Sequence, residues 1–449
     1  MDGHNNTLSH WQSALSPHWP LAGTLRRLHG EYDLNLSDGA LVYKVMRPGL
    51  TEADVAAQIA CQRHAAAAGI RVPAPVVTTG GALTRVIEDD QGEPRVVWAL
   101  RRLAGMPLAN LRPWPPSLAH AIGTELARLH GALADFEHPA VPRTHEWDIR
   151  ALPSRTDLGR VLGAHPLAGT LNRIVEVHTM PACDALDSLP QQTIHNDLNE
   201  HNLLVSASHC AEASLTGIVD FGDMLRAPVI VDLAITAAYL VIGHGRPWPL
   251  LRALIAGYCT RSVLSEREGE LLWPLLLSRL AQSVINAWLA REGGRDDPYL
   301  QISQRTVTRF LQIHADEHPA FVSSLVARAS GGRDKGAELV DWLRSDQRQL
   351  APVFTAPLAD APVLDLSVAG EHATDNPVQP DLEEIAHTVT RLAGDGAVLG
   401  RYGEARLIYG APFFLAGAHG ASDRRTVHLA IESPRVLRRA PGLTQAAWA

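Results

Sequence analysis

Two short blocks hold residues whose types and spacing suit chemistry. The first is His195-Asn196-Asp197-Leu198-Asn199-Glu200-His201-Asn202-Leu203-Leu204-Val205, with an aspartate and an asparagine in a polar loop that runs into an apolar strand. The second, Gly217-Ile218-Val219-Asp220-Phe221-Gly222-Asp223, ends an apolar strand on an aspartate followed by a turn glycine. Phosphoryl transfer needs such parts. One carboxylate orients the acceptor hydroxyl and accepts its proton, while a second carboxylate and an amide oxygen hold Mg2+ against the phosphates. Asp197 suits the first task, and Asn202 and Asp220 suit the second. Each block alone is a weak signal; their order and the strands attached to both make the pair a strong one.

Other polar residues carry weaker signals. His195 and His201 with Asp220 would give a zinc reading, but the two histidines do not sit at a helical ligand spacing. Lys44 lies near the end of a short β-type run, Leu41 to Val45. Alone it reads as a surface lysine; upstream of the two blocks it becomes the candidate phosphate contact, a movable point charge. Asp223 reads either as a metal ligand or as an anchor of its loop. Asp232, in an apolar run, reads as a hydrogen-bonding brace. Trp147, Asp148 and Arg279 could face the substrate pocket, but as single residues they read as packing or buried-pair features and stay outside the catalytic set. The glycines of Gly331-Gly332-Arg333-Asp334-Lys335-Gly336 do not have P-loop spacing.

These residues need elements to position them. Residues 21 to 100 read as strand-rich with one Ala-rich helix, Glu52 to Ala68, stopped by Gly69, Pro73 and Pro75. Arg95 to Leu103 is a further apolar run. From residue 117 the pattern turns helical: Ser117 is placed to cap Leu118 to Leu133, whose Ile122, Leu126 and Leu129 recur at helical spacing. Ile218 to Phe221 reads as a strand. Asp232 to Ile242 and Glu270 to Ala290 read as buried helices, with Pro274 in the first turn of the second. Five prolines, from Pro352 to Pro380, mark residues 351–381 as a linker, and 382–449 follow as a small segment.

Bulk properties narrow the classes. A chain of 449 residues gives a prior of about two to three domains. Net charge is −8, which speaks against a nucleic-acid partner needing a basic face. Met1 to His10 has neither the charge nor the apolar core of a signal peptide. The longest apolar run, Ala227 to Gly243, is short and broken by Asp232, so no membrane span is expected and the cytoplasm is the expected compartment. Cys61, Cys183, Cys210 and Cys259 lack C-x-x-C spacing and read as reduced thiols.

The paired blocks resemble the catalytic loop and metal-binding aspartate of the aminoglycoside phosphotransferase and choline kinase superfamily, a branch of the protein-kinase-like fold. The resemblance covers about residues 20 to 315. Asn196 in place of the usual glycine, Gly222-Asp223-Met224, and Asp232-Leu233-Ala234 with Tyr239 bring the chain nearest to hydroxylysine kinases. They also bring it near the kinase domain that precedes class-III aminotransferases in bacterial fusions. The resemblance implies an α+β, two-lobed fold with a β-rich N-lobe over 20–103 and a helical C-lobe over 104–350. It implies Asp197 as the catalytic residue, with Asn202 and Asp220 as Mg2+ ligands. His195 would brace the loop. Lys44 would contact the α- and β-phosphates beneath the turn Gly30-Glu31-Tyr32-Asp33-Leu34-Asn35. The segment from Arg101 to Leu103 would be a hinge whose backbone meets the base of ATP or GTP. The implied acceptor is a small hydroxylated amine. Hydroxylysine comes first, with homoserine, ethanolamine, choline and aminoglycosides as alternatives, and a functional link to a class-III aminotransferase is implied too. One position departs from the family: Gln58 stands where a glutamate usually pairs with the lysine, and Glu52 or Asp54 would have to substitute.

The end of the chain resembles something else. Gly400 to Tyr409 and Arg424 to Glu432 look like the start of the lysostaphin-like zinc peptidase module that follows the kinase in those fusions. His428 falls at its first zinc histidine, and Glu432 stands where the module has aspartate. No histidine follows His428, so the three protein ligands of a catalytic zinc are missing. A nucleotide-binding pseudokinase or regulatory module is the competing class; the complete Asp197, Asn202 and Asp220 set speaks against it and Gln58 for it.

Overall fold

The computed structural model describes residues 2–28, 30, 33–141, 145–206, 213–243, 247–294, 304–315, 322, 325–327, 329–331, 427–429 and 437–439. Contacts divide the chain into two compact units, Met1–Ser262 with Pro274–Ala315, and Val263–Trp273 with Asp316–Ala449.

The first unit opens with helix α1 (Asp2–Leu15) and an antiparallel sheet. Its strands are β1 (Arg26–Leu28), β2 (Leu34–Ser37), β3 (Leu41–Val45), β4 (Pro75–Val76), β5 (Thr84–Glu88) and β6 (Pro94–Arg101). They run in the order β1-β2-β3-β6-β4, with β5 also paired to β6. Alternation divides the central strands between two faces. Tyr43, Val45, Val97 and Ala99 bury against Trp11, Leu15 and Trp19 on one face. Met46, Val96, Trp98 and Leu100 bury against Val55 and Ile59 of α2 (Glu52–Ala67) on the other. Lys44 shares the parity of Val42 and Met46, so it emerges on the α2 side, in register with Trp98. Thr51 and Asp54 close a capping box at the start of α2, and Gly69, at φ +82°, turns the chain away after its end. Helix α1 has no counterpart in the sequence reading: Leu8, Trp11 and Leu15 form a stripe too sparse to stand out among polar neighbours.

The helical half carries α3 (Pro116–Leu133), three short helices α4 (Leu158–Ala164), α5 (Ala168–Arg173) and α6 (Met180–Leu186), then α7 (Val229–Val241), α8 (Trp248–Cys259) and α9 (Glu266–Glu292). A further helix spans Gln304–His314. Ser117 does not cap α3; the helix starts at Pro116, whose fixed φ suits a first turn, and Pro115 makes no side-chain cap. Helices α3 and α8 cross with backbones touching. A Cβ on Gly123 would collide with the Leu254 carbonyl, and one on Gly257 with the His120 carbonyl. Pro274 lies well inside α9 rather than in its first turn. Ser265 and Glu268 start the helix earlier through reciprocal bonds, Ser265 N–H to the Glu268 carboxylate at 2.9 Å and Glu268 N–H to Ser265 Oγ at 3.3 Å.

Two small ladders complete this unit. Strands β7 (Met106–Pro107), β9 (Leu203–Ser206) and β10 (Ser214–Ile218) form one, and β8 (Gln192–Ile194) with β11 (Leu225–Ala227) forms the other. The strand expected over Ile218 to Phe221 therefore ends at Ile218, because Asp220 takes φ +65° and leaves the extended region.

In the second unit, Val326 packs on the first half of α9: a Cβ on Gly269 would lie 3.3 Å from its Cγ1. Strands β12 (Val427–Leu429) and β13 (Leu437–Arg439) pair antiparallel, with His428 opposite Arg438. The proposed linker 351–381, Cys210, Glu31, Tyr32, residues 332–336 and Glu432 lie outside the described residues.

Candidate active site

The two ladders suspend two loops. Residues 195–202 run from β8 to β9, and residues 219–224 run from β10 to β11. The Val219 N–H donates to the Asn202 carbonyl at 3.0 Å, tying one loop to the other. The first loop turns through Asn196 at φ +64°, a left-handed conformation that asparagine tolerates better than most residues after glycine. Asp232 of α7 makes that turn stable. Its fully buried carboxylate accepts the N–H groups of His195 at 3.0 Å and Asn196 at 2.8 Å. His130 of α3 donates from Nε2 to the same carboxylate at 3.2 Å, and its Nδ1 bonds the Tyr258 hydroxyl at 2.9 Å. Burial alone would raise the Asp232 pKa; His130 and His195 outweigh it and hold it below the ordinary value.

Both ring nitrogens of His195 are engaged. Nε2 donates to the Val219 carbonyl at 3.1 Å, and Nδ1 accepts the Asp197 N–H at 3.3 Å. That leaves no lone pair for zinc. Among the described residues no group of three or more His, Cys, Asp or Glu is placed to hold a metal ion.

The Asp197 carboxylate sits in a cage of donors. Asn199 Nδ2 spans both oxygens at 3.0 and 3.1 Å, and Asn202 Nδ2 donates to Oδ2 at 2.7 Å and to the Asp197 carbonyl at 2.8 Å. With its NH2 so committed, Asn202 keeps its amide oxygen as an acceptor. Across the tied loops stands Asp220, whose Oδ1 accepts from Lys44 Nζ at 2.6 Å. An amide oxygen and a carboxylate are hard donors of the kind that suit a divalent cation such as Mg2+. Asp33 lies 3.9 Å from the same ammonium. Burial would pull the Lys44 pKa down, but Asp220 and Asp33 outweigh it and raise it. Burial would likewise raise Asp220, and Lys44 reverses the sign. Asp223, 3.6 Å from His145 Nε2, is pushed up by burial and by its neighbour Asp220.

The expected substitutes for a helix glutamate are committed elsewhere. Asp54 closes the α2 cap and Glu52 accepts from the Thr84 hydroxyl, while Gln58 is buried with its amide oxygen unbonded. The counter-charges on Lys44 are Asp220 and Asp33 instead. Arg101 ends β6 with its N–H bonded to the Ala74 carbonyl at 2.8 Å, and Arg102 N–H bonds Ala40 at 3.0 Å. Leu103 follows beyond the strand. Its side chain lies over Gly217, where a Cβ would stand 2.5 Å from Leu103 Cδ1.

Two residues here lie outside the expected catalytic set. Arg279 of α9, 1% exposed, donates to Asp197 Oδ1 at 2.9 Å. A lone arginine in the apolar run of α9 was its only signal, since a buried cation needs a partner. Glu200 is 6% exposed. Its Oε1 stands 3.7 Å from Arg112 and its Oε2 has no partner; burial pushes its pKa up to about 7. Nothing in a polar loop sequence marks one of its acids as buried.

Residues 24–270, more than half of the chain, match the family described as Phosphotransferase enzyme family. Hydroxylysine kinase of Bos taurus is 27% identical over 258 residues, covering 55% of this chain and 68% of that protein. Homoserine kinase of Brucella abortus (strain S19) is 28% identical over 262 residues, covering 56% and 72%. The solved structure of amicoumacin kinase hAmiN in complex with AMP-PNP and Ca2+ has a TM-score of 0.51 at 14% identity, covering 70% of this chain and 96% of that one, and so shares the fold. The matched span contains Lys44, Asp197, Asn202 and Asp220. The chain, a small-molecule kinase with a two-lobed α+β fold, belongs to the phosphotransferase enzyme family.

Proposed function

We propose that the protein moves the γ-phosphate of ATP or GTP to the hydroxyl of a small amine-bearing metabolite, with hydroxylysine as the first candidate. The observation that carries this reading is the convergence of Asp197, Asn202, Asp220 and Lys44 on two loops joined by the Val219–Asn202 bond. Asp197 orients the acceptor hydroxyl and takes its proton as that oxygen bonds to the γ-phosphorus and the bond to the bridging oxygen breaks. Lys44 meets the α- and β-phosphates. The hinge from Arg101 to Leu103 holds the base. Mg2+, when bound through the Asn202 amide oxygen and Asp220, neutralises charge on the phosphates.

Hydroxylysine ranks ahead of homoserine, ethanolamine, choline and aminoglycosides because hydroxylysine kinases are among the similar proteins. The cytoplasm is the proposed compartment; among the described residues no helix is long and apolar enough to cross a membrane, and Cys61, Cys183 and Cys259 are free thiols. A class-III aminotransferase is the proposed functional neighbour.

A steady-state kinase assay across these acceptors, each with ATP and with GTP, tests the reading. Hydroxylysine should give the highest kcat/KM. Transfer to none of the hydroxylated amines with either nucleotide would sink it.

A further inference from the structure

Arg279 lies outside the residues that match the family, yet it reaches the candidate base. Its guanidinium is held from several sides. It stacks 4.4 Å from the Trp147 ring centroid, donates to the Trp147 carbonyl at 3.2 Å, and lies 5.8 Å from the Tyr239 ring. Little freedom remains to the planar group, and it turns one edge to Asp197 Oδ1.

The other donors on Asp197 differ in kind. Asn199 and Asn202 belong to the same loop as the aspartate, so they travel with it. Arg279 comes from a long buried helix and refers the carboxylate to the scaffold. A carboxylate is free to rotate about its Cβ–Cγ bond, and a small misplacement of a reacting group costs on the order of a hundredfold in rate. The Asp197 side chain keeps 21% of its surface exposed, so the contact with Arg279 does not close it off.

We propose that Arg279 is a positioning residue for phosphoryl transfer, fixing the Asp197 carboxylate in the orientation that receives the acceptor hydroxyl. The inference rests on Asp197 being the acceptor-facing base. A purely structural ion pair would also hold α9 to the loop, so the test has to separate the two roles.

The test measures kcat, nucleotide KM and melting temperature for the full chain, with hydroxylysine as acceptor or with water if no amine is phosphorylated. Arg279→Met should lower kcat by about ten- to a hundredfold and leave nucleotide KM within about threefold. Arg279→Lys keeps the charge but loses the planar fork, and should recover only part of the loss. Added guanidinium should restore turnover to Arg279→Ala without raising its melting temperature. In an Asp197→Ala background, Arg279→Met should have almost no further effect, because the two act through one group. A kcat within about threefold of wild type for Arg279→Met overturns the proposal. So does an equal loss in the Asp197→Ala background. Where Arg279→Met does not fold, Arg279→Lys decides alone, and an unchanged kcat overturns the proposal. Wild-type turnover in Asp197→Ala removes the base assignment and this inference with it. An inactive Asp197→Ala beside an unimpaired Arg279→Met removes only the inference.

Discussion

Asp220 serves two charges. It is the 2.6 Å partner of Lys44 and, in the proposed chemistry, a ligand to Mg2+. Asp220→Asn removes the negative charge from both relations while nearly keeping the shape. Nucleotide affinity and Mg2+ dependence should fall together, each by about tenfold or more. Calorimetric titration of nucleotide with and without Mg2+ measures both, and an unchanged Mg2+ dependence would remove Asp220 from the metal site. Asp197, Asn202 and Asp220 could be picked out of the sequence because each stands in a short local pattern of loop and strand. Arg279 reads from sequence only as a packing or buried-pair residue, without its partner, and His130 and Glu200 do not stand out at all, because what they do depends on partners far along the chain or on burial. Arg279 meets Asp197 across 82 positions, and His130 meets Asp232 across 102. Asn196 was visible as a departure from the family's glycine, but its reason, a positive φ pinned by Asp232, is a fact of the fold.

The elements of the site hang on a few close contacts. Helices α3 and α8 cross where Gly123 and Gly257 leave no room for a methyl group against the opposing carbonyls. Helix α3 carries His130 and α8 carries Tyr258, so this crossing sets the brace behind Asp232. Gly257→Ala should force the helices apart and destabilise the protein by about 1–3 kcal/mol, the usual penalty of overpacking. Thermal or denaturant unfolding measures it; an unchanged midpoint would mean that the helices slide without strain. Long, strongly patterned elements were legible. The strand Leu41–Val45 has the expected bounds, and α2 ends within one residue of expectation. Boundaries set by one residue's backbone were not. Pro116 moved the start of α3, the Ser265–Glu268 box moved that of α9, and Asp220 cut β10 short.

At the scale of the molecule, every residue of the proposed chemistry lies in the unit formed by Met1–Ser262 and Pro274–Ala315. A chain ending near Ala351 should therefore keep its melting temperature and its rate of transfer. A chain ending at Ala315 should not. Val322, Leu325 and Val326 are buried, and Val326 lies against Gly269 of α9, so that cut strips apolar cover from the helix that carries Arg279. The loss should be several degrees in melting temperature, in line with about 1.5–3 kcal/mol for each buried apolar side chain removed. Equal stability of the two truncated chains would contradict this. The sequence reading placed residues up to 350 in the helical lobe, but the contact of Val326 with Gly269 of α9 was not visible in it, since so few positions are too short a run for a period to show.

If Lys44 meets the phosphates and Asp220 the metal, as proposed, the ion pair between them couples the two ligands. Each charge occupies the other, so Mg2+ alone approaches a carboxylate already neutralised, and a nucleotide alone must draw the lysine from its partner. With both bound, the phosphates would take the ammonium and the metal the carboxylate, and the disruption of the pair would be shared between two ligands. Each should then tighten the binding of the other by the same factor, because coupling between two sites is reciprocal. In the proposed chemistry the resting protein holds, in its own side chains, a stand-in for the charges that its ligands would bring.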